Sequence, residues 1–482
     1  MLDWRKAHRS AGLGLAVGLA LTAISFGMRA QGGGSYGAPT RSWWQAGQGD
    51  FFPWEQDYSD PNGQASVLSA NGAVNTQDHP FFEALGRNGR ACVTCHQPAN
   101  AMSVSTENLL VRWSETEGRD PVFAAVDGSN CPSLPQAVRS SHSLLLDRGV
   151  FRIALPWPPK DASGKPIRPE FQIEVVRDPT GCNGGAAYGL RSSNASVSVY
   201  RRPRMAANLT YLLDAPERIF MADGREPSLE SQATNAILVH EEAAKAPMPE
   251  ELRQIVEFET QVYAAQSSDL RGGLLNEKDG PLALGPENLA ALKGATFDGA
   301  AKPVSFSFEV WRNPKDEAGW DLQRQFRASV VRGSDVFFGR RFRITDSGRA
   351  AEYTCATCHS GGVGRWMDVG TTNVGTASNA LAQAAPDLPL FRIACDSAAQ
   401  PHPLYGRVIY TQDPGRALIT GKCADVGSIV MQQLRGMAAR APYFSNGSAR
   451  SLREVVDFYD RRFGIGYTEQ EKLDLVNFLS AL

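Results

Sequence analysis

Two short cysteine motifs carry the clearest chemistry in the sequence. Residues 92–96 read Cys-Val-Thr-Cys-His and residues 355–359 read Cys-Ala-Thr-Cys-His. Both fit C-x-x-C-H, the c-type haem attachment pattern, because two thiols add to the vinyl groups of one porphyrin while the adjacent imidazole reaches the iron. We therefore predict two covalently bound haem c groups, attached through Cys92, Cys95, Cys355 and Cys358, with His96 and His359 as the proximal iron ligands.

A C-x-x-C pair has two other common uses, as a redox-active thiol pair and as half of a zinc site. Neither use explains why a histidine directly follows the second cysteine in both motifs. In an exported chain, an unmodified pair would also close into a disulfide. These comparisons favour haem attachment.

Four further cysteines follow the haem motifs, two in each half of the chain. An exported protein rarely keeps such cysteines as free thiols, and pairing within each half is the simplest of the three connectivities. The alternative is that they are buried free cysteines. We predict two disulfides, Cys131 with Cys182 and Cys395 with Cys423.

The first thirty residues have the composition of an export signal. Arg5, Lys6 and Arg9 precede a charge-free run over residues 11–26. That run is short for a membrane-spanning helix, which needs about 20 residues. We predict a signal peptide over residues 1–30 and a periplasmic or otherwise exported protein. The alternative is an uncleaved membrane anchor through residues 11–26.

An internal repeat indicates how the chain positions its haem motifs. Residues 223–229 match residues 446–452 at a constant offset of 223. Each match is followed by an amphipathic stretch with an acidic first turn, over residues 249–266 and 468–482, which predicts a closing helix in each half. The class predicted from these patterns is mainly α.

The first half of the repeat contains extra chain. The haem-motif histidines are 263 residues apart, whereas the later matches are 223 apart, so about 40 residues are inserted. Within residues 131–202, two alternating runs at 171–176 and 197–200 predict a small β-hairpin insertion. With a boundary in the loop-rich stretch after residue 271, the predicted haem domains are residues 31–302 and 303–482.

Composition and charge exclude several classes of protein. Lys and Arg total 49 against 51 Asp and Glu, with no long single-sign run, so a nucleic-acid partner is not expected. Hydrophobic residues are 42% and charged residues 21%, which excludes a disordered, collagenous or coiled-coil chain.

Taken together, the motifs resemble those of the bacterial di-haem cytochrome c peroxidases and their MauG-like relatives, which carry two cytochrome-c-like domains in one exported chain. The resemblance covers most of the mature chain. Besides the two haem motifs, it depends on five segments of this sequence: Asp223-Gly224-Arg225, Ser228-Leu229-Glu230 with Gln232-Ala233, Leu434-Arg435-Gly436, Ala441-Pro442-Tyr443-Phe444 and the closing run from Ser451 to Tyr459. It implies a fold of two tandem cytochrome-c-like haem domains.

The resemblance also implies roles for residues near the first haem. In the family, the N-terminal haem meets peroxide, the C-terminal haem is the electron entry point, and a tryptophan before the D-G-R element lies between them. Here that position is Ala222. The family's acid–base glutamate lies about twenty positions further on, which implies Glu242, with Glu241 as its neighbour and a solvated glutamate pair as the alternative.

The second axial ligands depart from the family pattern. The family's methionine or tyrosine in the A-P-Y loop is replaced here by Phe444, and the internal repeat equates that position with Met221. His240 competes for the first iron, because it shares one face of a Ser228-capped helix with Leu229, Ala233 and Ala236; a core histidine is the alternative. The candidate distal ligands are Met221 and His240 for the first iron, with His142 as a weaker third, and Met437, Met431 and His402 for the second.

From these residues we predict an exported di-haem c-type cytochrome that acts as a peroxidase-type oxidoreductase. It would reduce hydrogen peroxide at the N-terminal haem, with electrons passed through the C-terminal haem from a small redox protein or another donor. The oxidant could equally be another small molecule. Two alternatives stay open: a non-catalytic electron-transfer cytochrome with both irons closed, and a haem enzyme that oxygenates or oxidises a substrate. The sequence specifies neither an oligomeric state nor a structural calcium ion.

Overall fold

Short helices and short strands alternate along the chain. The computed structural model describes residues 43–213, 219–292, 307–312, 321–344, 351–359 and 371–482. The predicted signal segment 1–30, its apolar run 11–26 and the predicted boundary between residues 302 and 303 lie outside these ranges. Among the described helices, none is long and apolar enough to cross a membrane.

The α-helices, numbered in chain order, range from single turns at the haem motifs to a nineteen-residue helix before the second motif. Their bounds are Cys92–Cys95 (α1), Thr106–Thr116 (α2), Ser143–Arg148 (α3), Thr210–Leu213 (α4), Leu229–Val239 (α5), Pro249–Gln261 (α6), Pro286–Ala291 (α7), Glu309–Arg312 (α8), Asp321–Gly339 (α9), Cys355–Cys358 (α10), Asn379–Gln383 (α11), Ala417–Thr420 (α12), Leu452–Phe463 (α13) and Glu469–Ala481 (α14).

The strands are mostly short and belong to small antiparallel sheets. Their bounds are Phe51–Phe52 (β1), Glu55–Asp60 (β2), Gly63–Ser69 (β3), Val74–Asn75 (β4), Phe151–Pro156 (β5), Phe171–Arg177 (β6), Ser196–Arg201 (β7), Val262–Asp269 (β8), Gly273–Leu274 (β9), Phe342–Ile344 (β10), Ala351–Tyr353 (β11), Thr371–Thr372 (β12), Leu390–Cys395 (β13), Val408–Thr411 (β14) and Ile429–Val430 (β15).

The prediction of a mainly helical class holds only in part, because 33% of the described residues are helical and 21% are in strands. The largest sheet has the order β2-β3-β8-β9, and it pairs Tyr58 with Ala65 and Val67 with Ala264. Strands β3 and β8 are buried on both faces and consist mostly of small residues. They therefore lack the polar and apolar alternation by which a half-exposed strand is recognised.

The predicted β-hairpin insertion is wrong in its pairing. Strands β6 and β7 both form, but β7 pairs with β5, and β6 pairs with β13 of the second half in a sheet of order β14-β13-β6. The eighteen residues between β6 and β7 are too many for a tight turn, so no turn fixes a hairpin register. The two sheets share one buried apolar cluster that includes Phe171, Val199 and Ile393.

Both disulfides lie in this inserted region and its partner sheet. Cys131 is joined to Cys182, and Cys395 to Cys423, with Cα–Cα distances of 5.5 and 5.8 Å. These are the two within-half pairs that the sequence predicts. Cys395 ends β13, so the second bridge anchors the strand on which β6 docks.

The internal repeat has a matching backbone. Met221 and Phe444 occupy equivalent positions, and both have a left-handed backbone, with φ of 63° and 65°. Isolated bridges join Phe220 to Glu226 and Tyr443 to Ala449 at the same offset of 223. The next helices, α5 and α13, start at equivalent serines, Ser228 and Ser451, whose side chains accept a hydrogen bond from the backbone three residues later.

The closing helices pack similarly in each half. Phe258 of α6 contacts the adjacent pair Phe81 and Phe82, and Phe478 of α14 contacts the pair Phe337 and Phe338. The first helix is shorter than predicted, since it ends at Gln261 and β8 follows at once. The second matches its prediction, with Thr468 as the N-cap. One buried cluster draws only on residues 44–264 and another only on residues 275–482.

Candidate haem sites

The two C-x-x-C-H segments have nearly identical local structure. Each C-x-x-C forms one helical turn, and the following histidine has φ and ψ of −113° and 63° at His96 and −114° and 59° at His359. The rings of Phe81 and Phe337 lie 6.4 and 6.5 Å from their imidazoles. All four motif cysteines are outside the disulfides. The same side chains are therefore presented in the same way at both sites.

The orientation of His96 suits an axial ligand. Its Nδ1 donates a hydrogen bond to the carbonyl oxygen of Met102 over 3.1 Å, which leaves Nε2 as the nitrogen that can bind a metal. Burial lowers the pKa of His96 to about 4, so the ring is neutral at pH 7 and its lone pair is available.

Each motif lines its own cavity. The first cavity is lined by the motif residues Cys92, Cys95 and His96 and by one face of α5. Leu229, Ala233, Ala236 and His240 all line it, as the helix face predicted from the sequence requires. The second cavity is lined by Cys355, Cys358 and His359 and by residues of the A-P-Y loop.

His240 is held at the wall of the first cavity by a hydrogen bond to a buried carboxylate. Its Nδ1 lies 2.5 Å from Oδ2 of Asp127, and Asp127 also forms an ion pair with the guanidinium of Arg90. The carbonyl oxygen of His240 accepts a hydrogen bond from Asn88. Within the described part of the chain, Nε2 of His240 has no hydrogen-bond partner. The arrangement fixes the imidazole with Nε2 available for the cavity.

Asp127 carries the negative charge of this network. Its burial acts to raise its pKa, but Arg90 and His240 together hold the pKa below its usual value. The carboxylate is therefore ionised at pH 7. Neither Asp127 nor Arg90 was identified from the sequence. Their contact spans 37 positions and two helices, so no periodic spacing marks them.

The structure corrects the assignment of Glu242. Its side chain forms an ion pair with the exposed Arg87 over 2.9 Å and is not among the residues that line the first cavity. The reason is that α5 ends at Val239 and Glu242 has a left-handed backbone with φ of 56°, so it does not continue the helix face that ends with His240. The predicted acid–base residue therefore lies outside the cavity.

Glu241 lines the first cavity instead. It is 3% exposed, its Oε2 accepts a hydrogen bond from the backbone N–H of Leu85, and its Oε1 lies 3.7 Å from Sγ of Cys92. Burial raises the pKa of Glu241 to about 8, so it is largely protonated at pH 7. Because Cys92 would join the porphyrin edge, Glu241 would be near that edge when haem is attached.

A second buried carboxyl lines the same cavity. Glu259 of α6 is 5% exposed, and no hydrogen-bond partner is found for its Oε2 among the described residues. Burial raises the pKa of Glu259 to about 8. A lone Glu within an amphipathic helix is usually solvated, so no feature of the sequence marks this residue as buried.

The predicted distal candidates divide between the two cavities. Met221 lines the first cavity, and Met437, Met431, His402 and Phe444 line the second. The sulfur of Met437 lies 3.2 Å from Nη2 of Arg440. His142 lines neither cavity, since both of its ring nitrogens bond to carbonyl oxygens, those of Gly128 and Gln136. That histidine is part of the core.

The two cavities share a wall, which is formed by Arg202, Pro203, Val430, Gln432 and Gln433. Ala222, at the position of the family tryptophan, lines the first cavity beside this wall, and its carbonyl oxygen accepts a hydrogen bond from Val430 over 2.8 Å. Among the described residues, no aromatic side chain lines both cavities.

The residues present fit two haem c groups. Each cavity contains a one-turn C-x-x-C-H helix whose histidine follows the thiols with the same backbone geometry. Basic side chains line both cavities and can neutralise propionates, including Arg202 in both and Arg204 and Arg225 in the first.

Comparison with known proteins gives short but significant sequence matches. The chain is 41% identical over 81 residues to the cytochrome-c peroxidase IdrP1 of Pseudomonas sp. (strain SCT), covering 14% of this chain and 21% of that protein. It is 31% identical over 135 residues to the cytochrome-c peroxidase IdrP2 of Denitromonas iodatirespirans, covering 27% and 35%. The matches thus span about a third or less of these relatives. No protein-family model matches the chain.

Two solved structures are also similar. One is a MauG-like protein associated with microbial copper homeostasis, with 18% identity, a TM-score of 0.31 and coverage of 60% of this chain and 75% of that one. The other is the hydrazine synthase of Kuenenia stuttgartiensis, with 15% identity, the same TM-score and coverage of 84% and 97%. TM-scores this low do not establish a shared fold. Together with the motifs, the sequence matches to cytochrome-c peroxidases confirm the resemblance to the di-haem cytochrome c peroxidases.

Proposed function

We propose that this protein is an exported di-haem c-type cytochrome that reduces peroxide. One observation carries the proposal: two C-x-x-C-H helices with the same backbone line two cavities that share a wall. Two separate buried clusters, one within residues 44–264 and one within residues 275–482, support a layout of two tandem haem domains, and the second cluster also draws on Leu275, Ala283 and Leu284 before the predicted boundary. The sequence matches to cytochrome-c peroxidases agree with this chemistry.

In this proposal, the motif cysteines hold the haems and the motif histidines bind the irons. When bound, the haem irons would supply one-electron redox chemistry and a site for peroxide. The Nδ1 donor of His96 is fixed on the carbonyl oxygen of Met102, so Nε2 would face the iron. Electrons would come from a small redox protein in the exported compartment and would pass from the second cavity to the first.

The first cavity is the proposed peroxide site because it alone, among the described linings, contains acidic side chains. Peroxide reduction needs a group that accepts a proton from one oxygen and delivers it to the other. Nε2 of His240 can do both, because Asp127 holds Nδ1 and stabilises the ring when it becomes a cation. Glu241, which is largely protonated and lies near Cys92, is the second candidate.

A specific observation also favours the electron-transfer alternative. A histidine whose Nδ1 is held by a carboxylate is the usual arrangement of a metal-ligating histidine. If Nε2 of His240 bound the first iron, that iron would be closed, and the protein would transfer electrons without turning over peroxide. The same contact thus supports two functions, which differ in the spin state of the first iron.

Haem content and spin state test the proposal. Denaturing mass spectrometry of protein made with the haem-attachment machinery should show a mass increase of two haems. Electron paramagnetic resonance should show a high-spin signal from the first iron, and peroxide should be consumed with an artificial electron donor. Two low-spin irons in every redox state with no peroxide consumption would establish the electron-transfer function, and a chain without two haems would refute both.

A matched pair of variants locates the acid–base site. Glu241→Gln and Glu242→Gln make the same chemical change at adjacent residues, but only Glu241 lines the cavity. If Glu241 takes part in proton transfer, only Glu241→Gln lowers the rate of peroxide reduction. If both variants reduce peroxide at the wild-type rate, the proton transfer is assigned to His240.

A further inference from the structure

We propose that the guanidinium of Arg202 binds haem propionates from both cavities and so couples the reduction potentials of the two haems. The inference depends on the two haems of the proposed function. It assigns to one side chain of the shared wall an electrostatic role that neither the haem motifs nor the acid–base residues supply.

The position of Arg202 is the first reason. It directly follows strand β7, and it is the one cationic residue of the shared wall, so it lines both cavities. Its backbone N–H donates to the carbonyl oxygen of Ser445 in the A-P-Y loop over 2.8 Å. This bond anchors Arg202 to the loop of the second cavity, although it belongs to the first half of the chain.

The charge of Arg202 is the second reason. Its guanidinium donates to carbonyl oxygens of Val104 at 2.6 Å, Arg440 at 2.9 Å and Arg148 at 3.3 Å. Across the described residues, it forms no ion pair with a carboxylate, although its side chain is buried. Burial and the nearby charge of Arg440 lower the pKa of Arg202 to about 9, so it is still a cation at pH 7.

Its neighbour Arg201 provides a comparison, because it is a buried arginine whose charge is neutralised by the protein itself. Arg201 is equally buried, but it forms ion pairs with Asp413 over 2.6 Å and with Asp223 over 2.5 Å. Those carboxylates raise its pKa against the effect of burial. Arg201 also lines the first cavity, but protein carboxylates neutralise its charge. Of the two arginines, Arg202 alone lines both cavities, and it has no carboxylate partner among the described residues.

A buried cation without an anion is costly, since carbonyl dipoles do not neutralise its charge. A haem propionate supplies the missing charge, and a guanidinium has five N–H donors, enough for the carbonyls and for a carboxylate. Because Arg202 lines both cavities, a propionate of either haem can reach it. Arg440 is buried without a carboxylate partner among the described residues too, but it lines only the second cavity.

This arrangement has a consequence for redox chemistry. Reduction adds one electron to a haem, so a fixed cation nearby stabilises the reduced form and raises the reduction potential. A cation shared by two haems raises both potentials together. Loss of Arg202 should therefore shift both potentials to more negative values, whereas loss of Arg440 should shift only that of the second haem.

The test uses the holoprotein and its reduction potentials. Wild type, Arg202→Gln and Arg440→Gln are first checked for two covalent haems by mass spectrometry, and then titrated in a spectroelectrochemical cell with redox mediators. We expect Arg202→Gln to lower the reduction equilibrium constant of both haems at least tenfold, equivalent to about 59 mV for one electron. Arg440→Gln should change one haem only. Potentials that are unchanged in Arg202→Gln, or a change in only one haem, would overturn the proposal.

A conservative variant keeps the proposal testable if Arg202→Gln does not fold. Arg202→Lys retains the charge but replaces the planar fork by a single ammonium. Both potentials should stay near the wild-type values, whereas the propionate bending bands of both haems should shift in resonance Raman spectra. Bands that shift for one haem alone, or for neither, contradict a shared contact. A wild-type protein without two haems would instead refute the proposed function, because that result appears before any potential is measured.

Discussion

The two cavities present the same haem-binding helix, but their walls differ in chemistry. Asp127, Glu241 and Glu259 line the first cavity, whereas none of the described residues that line the second is acidic. The second wall contains aromatic side chains, such as Tyr443 and Phe444, together with Met437. The repeat thus keeps one motif geometry while the surrounding side chains differ, with buried carboxyls at the first cavity and none among the described residues of the second.

The largest expected effect comes from removing the imidazole at the first cavity. His240→Gln should lower the rate of peroxide reduction by about 10²- to 10⁴-fold, because the variant has no basic nitrogen to accept the peroxide proton. Both haems should stay attached, since His240 is in neither cysteine motif. The rate is measured from initial velocities with an artificial electron donor.

His79→Gln is the matched control, because His79 lines neither cavity and its Nδ1 accepts a hydrogen bond from the backbone N–H of Phe81. Its peroxide rate should stay close to that of the wild type. A wild-type rate in His240→Gln, or an equal loss in both variants, contradicts the assignment of proton transfer to His240.

The next effect is the loss of folding stability when the buried ion pair beside the first cavity is broken. Asp127→Asn removes the carboxylate that pairs with Arg90 and leaves that guanidinium buried without an anion. Breaking a buried ion pair from one side typically costs about 3–5 kcal/mol. The free energy of unfolding is measured by urea titration of the holoprotein. Asp387→Asn, which breaks the half-exposed pair with Arg148, is the control and should cost less than about 1 kcal/mol. Equal losses of unfolding free energy in the two variants would show that the buried network stabilises the fold no more than the half-exposed ion pair does.

What the sequence predicted correctly depends on local spacing. The Ser228-capped helix with His240 on its cavity face and the pairing of the four other cysteines follow from residues close in sequence or from counting. The prediction for Glu242 uses its distance from Ala222 in the family pattern, whereas in the structure α5 ends at Val239 and the left-handed backbone of Glu242 turns its side chain away from the cavity.

What it missed depends on distant contacts. Asp127 reaches His240 across 113 positions, and β6 pairs with β13 across more than 200. No turn or periodicity specifies such partners, because the local sequence of one strand or side chain does not identify the distant residue that it contacts. The same is true of Arg202, whose importance appears only when both cavities are seen to share it.

A third prediction uses the two buried carboxyls of the first cavity. Burial raises the pKa values of Glu241 and Glu259 to about 8, so in the folded state each holds a proton that the unfolded chain releases above about pH 4.5. Stability should therefore fall as the pH rises from about 4.5 to about 8, by at most about 1.4 kcal/mol per pH unit for each group.

Urea titrations at several pH values between 5 and 8 check this slope. Glu259→Gln cannot ionise, so the variant should lose part of the slope and become more stable than the wild type near pH 8. If the free energy of unfolding changes with pH equally in Glu259→Gln and in the wild type, the pKa of Glu259 is not raised by burial, and the prediction is wrong. The described lining of the second cavity has no carboxyl. The absorption spectrum of the second haem should therefore not change over the pH range in which Glu241 and Glu259 titrate.

The smallest expected effect is at Glu242, and it separates the two neighbouring glutamates. The Arg87 side chain that pairs with Glu242 is 79% exposed, and ion pairs of this kind typically contribute about 0–1 kcal/mol. Glu242→Gln should therefore change neither the free energy of unfolding by more than about 1 kcal/mol nor the rate of peroxide reduction. Urea titration and initial-rate measurements check both. A rate loss comparable with that of His240→Gln would return Glu242 to the peroxide site, and would mean that residues 240–242 rearrange when haem is bound. An unchanged rate keeps proton transfer with the side chains that line the first cavity, where His240 and Glu241 are in place and Glu242 is not.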